Sequence, residues 1–109
     1  MPNKIVYNND YGGFNISQEA IDYIEQYCKI HNIDNPLLKY KNIQCIPRHH
    51  PALVAAVEKL GKKANSKRLY GSDLRIFETE SDKYWIENYD GMETVHTPES
   101  LKWVTIETK

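Results

Sequence analysis

"KYWIENYDGMETVH", residues 83–96, places two runs of alternating side chains on either side of Asp90-Gly91. Asp-Gly between such runs is the strongest short-range signal for a two-residue hairpin, because both central positions need positive φ. A loop of that length sets Tyr89 opposite Met92, Asn88 opposite Glu93, Ile86 opposite Val95 and Trp85 opposite His96. Pleating then sends Glu87 and Glu93 to opposite faces, which argues against their acting together as an acid–base pair. If one face packs on helices, the other leaves Trp85 or Tyr84 partly exposed. Such a ring covers the sheet, stacks on a flat ligand or seats a partner protein.

Outward from the hairpin the patterns continue. "DLRIFETE" (73–80) sets Leu74 and Ile76 against Arg75 and Phe77, and "LKWVTI" (101–106) sets Trp103 and Thr105 against Val104 and Ile106; both read as strands. Lys4-Ile5-Val6-Tyr7, bounded by Asn8, Asn9 and Asp10, reads as a first strand. A helix follows, with Ser17 as N-cap, Glu19 in the first turn and Ile16 stapled onto Ile21. Its stripe is Ala20, Ile21, Ile24, Tyr27 and Cys28, with Glu25 and Lys29 as an i,i+4 pair, and it fades at His31-Asn32. Residues 31–42 read as a loop, and "IQCI" (43–46) as a short strand closed by Pro47. A second helix starts at His50-Pro51, where proline costs no helical hydrogen bond, and ends between Gly61 and Asn65. This order predicts one α+β domain over residues 1–109, with two helices packed on one face of a mostly antiparallel sheet of four to six strands.

Composition narrows the classes. The chain has 109 residues, 40% hydrophobic and 27% charged, enough to fold around one core without metal or disulfide help. Fourteen basic and fifteen acidic side chains leave no overall attraction for nucleic acid or an anionic membrane. No apolar run approaches the roughly 18 residues of a membrane span. "MPNKIVYNND" lacks the apolar core of a signal peptide, and Cys28 and Cys45 form no close pair, so both read as free thiols in an intracellular setting.

Two segments are candidates for binding. In "YGGFNIS" (11–17), Gly12 and Gly13 lie between a strand and a helix N-terminus. They either reverse the chain while Tyr11 and Phe14 anchor it, or let backbone N–H groups approach an anion. The segment lacks the lysine of a phosphate-binding loop and the third glycine of a dinucleotide fingerprint. In "PRHHP" (47–51), Arg48, His49 and His50 precede the second helix. An arginine fork and two imidazoles there suit a phosphate or carboxylate, while His50 also serves as a helix cap. Adjacent histidines in extended backbone diverge and make a poor metal pair. The basic run Lys59, Lys62, Lys63, Lys67 and Arg68 reads as a solvated helix end.

Taken together, "YGGFNIS", "RHHPALV…VEKLGKKAN", "DLRIFE…WIENYDGMETV" and Trp103 resemble a family of short, functionally uncharacterised proteins of bacterial phages and large DNA viruses. The resemblance covers most of the chain apart from residues 31–42. It implies a viral origin and a host-cytoplasmic or virion-associated setting, and brings no activity with it. In that pattern an aspartate usually stands at the position of His50, in keeping with a capping role, and an arginine often stands at that of Lys102.

The functional expectation is a non-enzymatic module for a small anionic, nucleotide-like ligand, with no cofactor and no metal. Both helix N-termini would open into one hollow. Gly12, Gly13 and Arg48 would hold the charge beside His49 and His50, and Tyr11, Tyr89 or Trp103 would stack on a flat group. The rival is an oligomeric or virion-associated interaction protein that docks through its aromatic hairpin. A third reading is a small hydrolase using His49 or His50.

Overall fold

A computed structural model describes residues 2–66 and 71–100. The order is β1 (Asn3–Asn8), α1 (Gln18–His31), α2 (Pro36–Lys39), α3 (Pro51–Leu60), β2 (Leu74–Thr79), β3 (Trp85–Tyr89) and β4 (Met92–His96). Short 3-10 turns occupy Ile43–Cys45, Gly61–Ala64 and Pro98–Ser100. The strand expected at 101–106, Trp103 with it, and Lys67 and Arg68 lie outside the described residues.

The chain is α+β. β1 pairs antiparallel with β2, Asn3 opposite Thr79 and Asn8 opposite Leu74. β3 pairs antiparallel with β4 in the register that a two-residue loop demands, from Trp85 opposite His96 to Tyr89 opposite Met92. Asp90 and Gly91 take φ of 51° and 92°, the left-handed pair of a type I′ turn.

Instead of one continuous sheet of four to six strands, the described residues form two separate two-stranded ladders. The second edge of β1 explains the separation. The Val6 N–H donates to the Arg48 carbonyl at 2.8 Å, and the Asn8 N–H donates to the Glu93 carboxylate at 2.9 Å. β1's outward N–H groups are thus taken by a loop carbonyl and a side chain, and β4 lies beside β1 without extending its ladder.

α1 starts where its cap predicts. The Ser17 hydroxyl accepts from Ala20 N–H, and Ala20, Ile24 and Cys28 form the buried stripe. α1 ends at Asn32, whose φ of 54° turns the chain out of the helix. α3 begins at Pro51, buries Ala52, Leu53, Val54, Ala56 and Val57, and stops at Gly61. α3 touches both β1 and β2, and α1 packs along α3. Each large aliphatic side chain sealed here, Leu53 and Ile24 among them, is worth about 1.5–3 kcal/mol of transfer free energy.

Two local expectations give way. Residues 31–42 contain one helical turn, because the Asn35 side chain caps Leu37 N–H and Pro36 has a φ already suited to a first helical position. Residues 43–46 form a 3-10 turn, not a strand. The Asn42 side chain accepts from Gln44 N–H, and the Asn42 and Ile43 carbonyls take the N–H groups of Cys45 and Ile46, bonds that a strand would have had to give up. No helix among the described residues is long and apolar enough to cross a membrane.

Candidate functional site

Asn8, at the end of β1, is fully buried and joins three segments. Its Nδ2 donates to the carbonyls of Asp10 (2.8 Å) and Gly91 (2.9 Å), and its Oδ1 accepts from Asp73 N–H (2.8 Å). Its backbone N–H meets Glu93 Oε1, and the same oxygen accepts from Arg48 Nη1 at 2.5 Å. The guanidinium carbon of Arg48 lies 3.6 Å from the centre of the Phe14 ring, a cation–π contact. Arg48 and Glu93 keep only 8% and 3% of their side-chain surface exposed. Arg48 Nε is buried without a hydrogen bond among the described residues.

The glycine turn and the Arg48 segment therefore do come together, through Phe14 on one side and Glu93 on the other. The place that the sequence offered to an anion is occupied by the chain's own carboxylate. Sequence reasoning missed Glu93, Asn8 and Phe14 as its members. A signal for Glu93 existed: it shares the inward face of the hairpin with Val95 and Ile86, and an inward carboxylate requires a cation.

Gly13, at φ 88°, turns the chain as the structural reading expected. The closest backbone approach is at Gly91, where an added Cβ would lie 2.3 Å from the Tyr11 carbonyl oxygen and 2.5 Å from Gly13 N. The glycine loop thus seats directly on the hairpin tip.

His49 and His50 serve different ends. His50 Nδ1 accepts from Ala52 N–H at 3.1 Å and caps α3; burial, and then the neighbouring His49, lower its pKa from the usual 6.5. His49 Nδ1 lies 2.7 Å from the Tyr84 hydroxyl, beside a shallow hollow of about 220 Å³ lined by Asn3, Ile5, His49, Ser81, Asp82 and Tyr84. Burial raises the pKa of Tyr84, with the backbone and charge of Arg48 and the backbone of His49 pulling the other way. Among the described residues no three His, Cys, Asp or Glu side chains gather to hold a metal ion.

The hollow expected between two helix N-termini does not form, because α1 and α3 run antiparallel. Ser17, the cap of α1, donates from its hydroxyl to the Lys63 carbonyl (2.5 Å) and from its N–H to the Ala64 carbonyl (2.8 Å), just beyond the C-terminal end of α3. At the other end Ile33 and Asp34, which follow α1, line a hollow with His50 and Pro51. The two positive helix ends lie at opposite ends of the pair.

The outward face of the hairpin carries exposed side chains. Trp85, Glu87 and Tyr89 alternate along it, opposite His96, Thr94 and Met92. Trp85 is 54% exposed, Tyr89 72%, and Tyr11, on the loop that seats against Gly91, 59%. Trp85 stacks on His96 with ring centroids 4.5 Å apart, and His96 Nε2 lies 2.8 Å from Glu87 Oε1. Of the expected ligand set, this face holds Tyr89, and the loop at its tip holds Tyr11, both apart from buried Arg48.

No family model matches the chain, and neither the curated proteins nor the solved structures contain a match to it.

Proposed function

We propose that this chain is a protein-interaction module whose working surface is the outward face and tip of the β3–β4 hairpin. The supporting observation is the contrast between an interior whose arginine and carboxylate are spent on each other and an exterior that presents Trp85, Tyr89 and Tyr11 to solvent. Large rings left in water on one strand and its neighbouring loop are the composition of a docking site. On the resemblance of its sequence, the setting is a virus-infected cell or a virion, and the partner is a second copy of the chain or another protein of that setting.

The rival reading, a small anionic ligand on Gly13 and Arg48, draws support from the meeting of those two segments. It is the weaker reading, because the ligand would have to displace Glu93 from a buried ion pair.

The test compares the wild type with Trp85→Ala/Tyr89→Ala and with a control, Leu38→Ala, on an 86% exposed side chain of α2. Proteins captured from infected-cell extract are identified by mass spectrometry, and self-association is followed by sedimentation velocity. The hairpin variant is expected to lose the specific partner or the self-association that the wild type and the α2 variant keep. Equal behaviour of all three proteins overturns the reading.

A further inference from the structure

The hairpin end of the molecule is distinguished by its charge as well as by its rings. Neither residues 5–28 nor residues 84–99 contain a lysine or an arginine. The stretch from Asp73 to Glu99 carries eight acidic residues against two basic ones. Arg48 reaches this end from the approach to α3, but it is buried and neutralised by Glu93. Lys83, exposed two residues before β3, lines a small hollow with Trp85 at the end of the strand away from the turn. Among the described residues, the exposed side chains along the face, the tip and the adjoining loop include Asp10, Tyr11, Trp85, Glu87, Tyr89, Asp90 and Thr94.

The geometry points to a cationic segment of polypeptide as the occupant of this face, a conclusion that rests on the docking reading above. Along β3, Trp85, Glu87 and Tyr89 form a ring–carboxylate–ring row at the two-residue spacing of a strand, about 6.8 Å from one member to the next. An extended chain lying alongside presents its own alternate side chains at the same interval. Lysine or arginine fits such a row, since its aliphatic stem covers a ring while its head reaches the carboxylate and the ring's negative face. Trp85 stacks on His96 and still keeps 54% of its surface exposed to an incoming group. Glu87 keeps more than half of its side chain in solvent although one oxygen meets His96. At the tip, Gly91 lies against the Tyr11 backbone, and Asn8 Nδ2 donates to the carbonyls of both Asp10 and Gly91, so the loop that carries exposed Asp10 and Tyr11 adjoins the turn. The same carboxylates repel phosphates, so nucleic acid and anionic lipid headgroups are disfavoured here.

The probes are three fluorescent decapeptides of alternating sequence, Arg-Ser, Leu-Ser and Glu-Ser, titrated by anisotropy. The proteins are the full chain, Glu87→Gln/Asp90→Asn and Trp85→Ala/Tyr89→Ala. Asparagine tolerates the positive φ of position 90, so the first variant removes charge while keeping the turn. The wild type is expected to bind the arginine peptide, to bind it less tightly as salt rises, and to ignore the glutamate peptide. The charge variant is expected to bind about tenfold more weakly, and the ring variant at least as weakly. Equal binding of the arginine and leucine peptides, unaffected by the charge variant but abolished by the ring variant, overturns the cationic partner and leaves the docking face standing. Absence of arginine-peptide binding to the wild type also overturns the cationic partner. Binding that survives in the ring variant overturns both.

Discussion

At the scale of single residues, His50 is the one whose chemistry is most exposed to conditions. Its Nδ1 caps α3 as an acceptor, a role open only to the neutral ring. Burial and His49 lower its pKa in the folded chain, so the unfolded chain takes up the proton first as pH falls. The cap's stability is therefore complete above about pH 6.5 and is lost as pH drops through the lower folded value. Thermal melts across that range should show stability falling as pH drops, and His50→Asn, which caps without titrating, should flatten that fall. If the variant melts with the same pH dependence as the wild type, the cap is not the origin. Residues of this kind were legible in the sequence. Ser17, His50-Pro51 and Asp90-Gly91 act on neighbours within a few positions. Arg48 was not legible in the same way: its partner lies 45 residues away, and nothing adjacent to it announces a carboxylate.

At the scale of elements, the β3–β4 hairpin is held to the body by side chains, and the described residues show no ladder joining it to β1. Glu93 is the main tether, since one of its oxygens serves both Arg48 and Asn8. Removing it strands a guanidinium in the interior, so Glu93→Leu should cost about 3–5 kcal/mol in urea unfolding. Arg48→Met/Glu93→Leu should recover a large part of that loss, because an apolar pair leaves no buried charge. Additive losses in the two single variants would show that the ion pair is not the link. The register of the hairpin could be read in advance because turn chemistry and alternation both lie within fourteen residues. The division into two ladders could not, because it depends on what reaches the outer edge of β1 from residues 48 and 93. Residues 43–46 misled for a simpler reason: apolar side chains in a short run fit a strand or a turn, and the capping by Asn42 decides between them.

At the scale of the whole molecule, helix direction governs where binding chemistry can gather. Two N-termini, each preceded by anion-friendly residues, suggested a common hollow. Individual helix starts are encoded locally, whereas their relative direction follows from how the core closes, and here it closes antiparallel. That arrangement gives Ser17 an unusual reach. One residue caps the first turn of α1 and also donates to the chain leaving α3. Fraying at either place should then be inseparable from fraying at the other. In Ser17→Ala, amide hydrogen exchange is expected to quicken together at residues 18–21 and 63–66, though more than forty positions of chain lie between them. Quickening confined to α1 would mean that the second bond contributes little. Joint quickening would make this serine a splice through which two distant stretches of backbone melt as one.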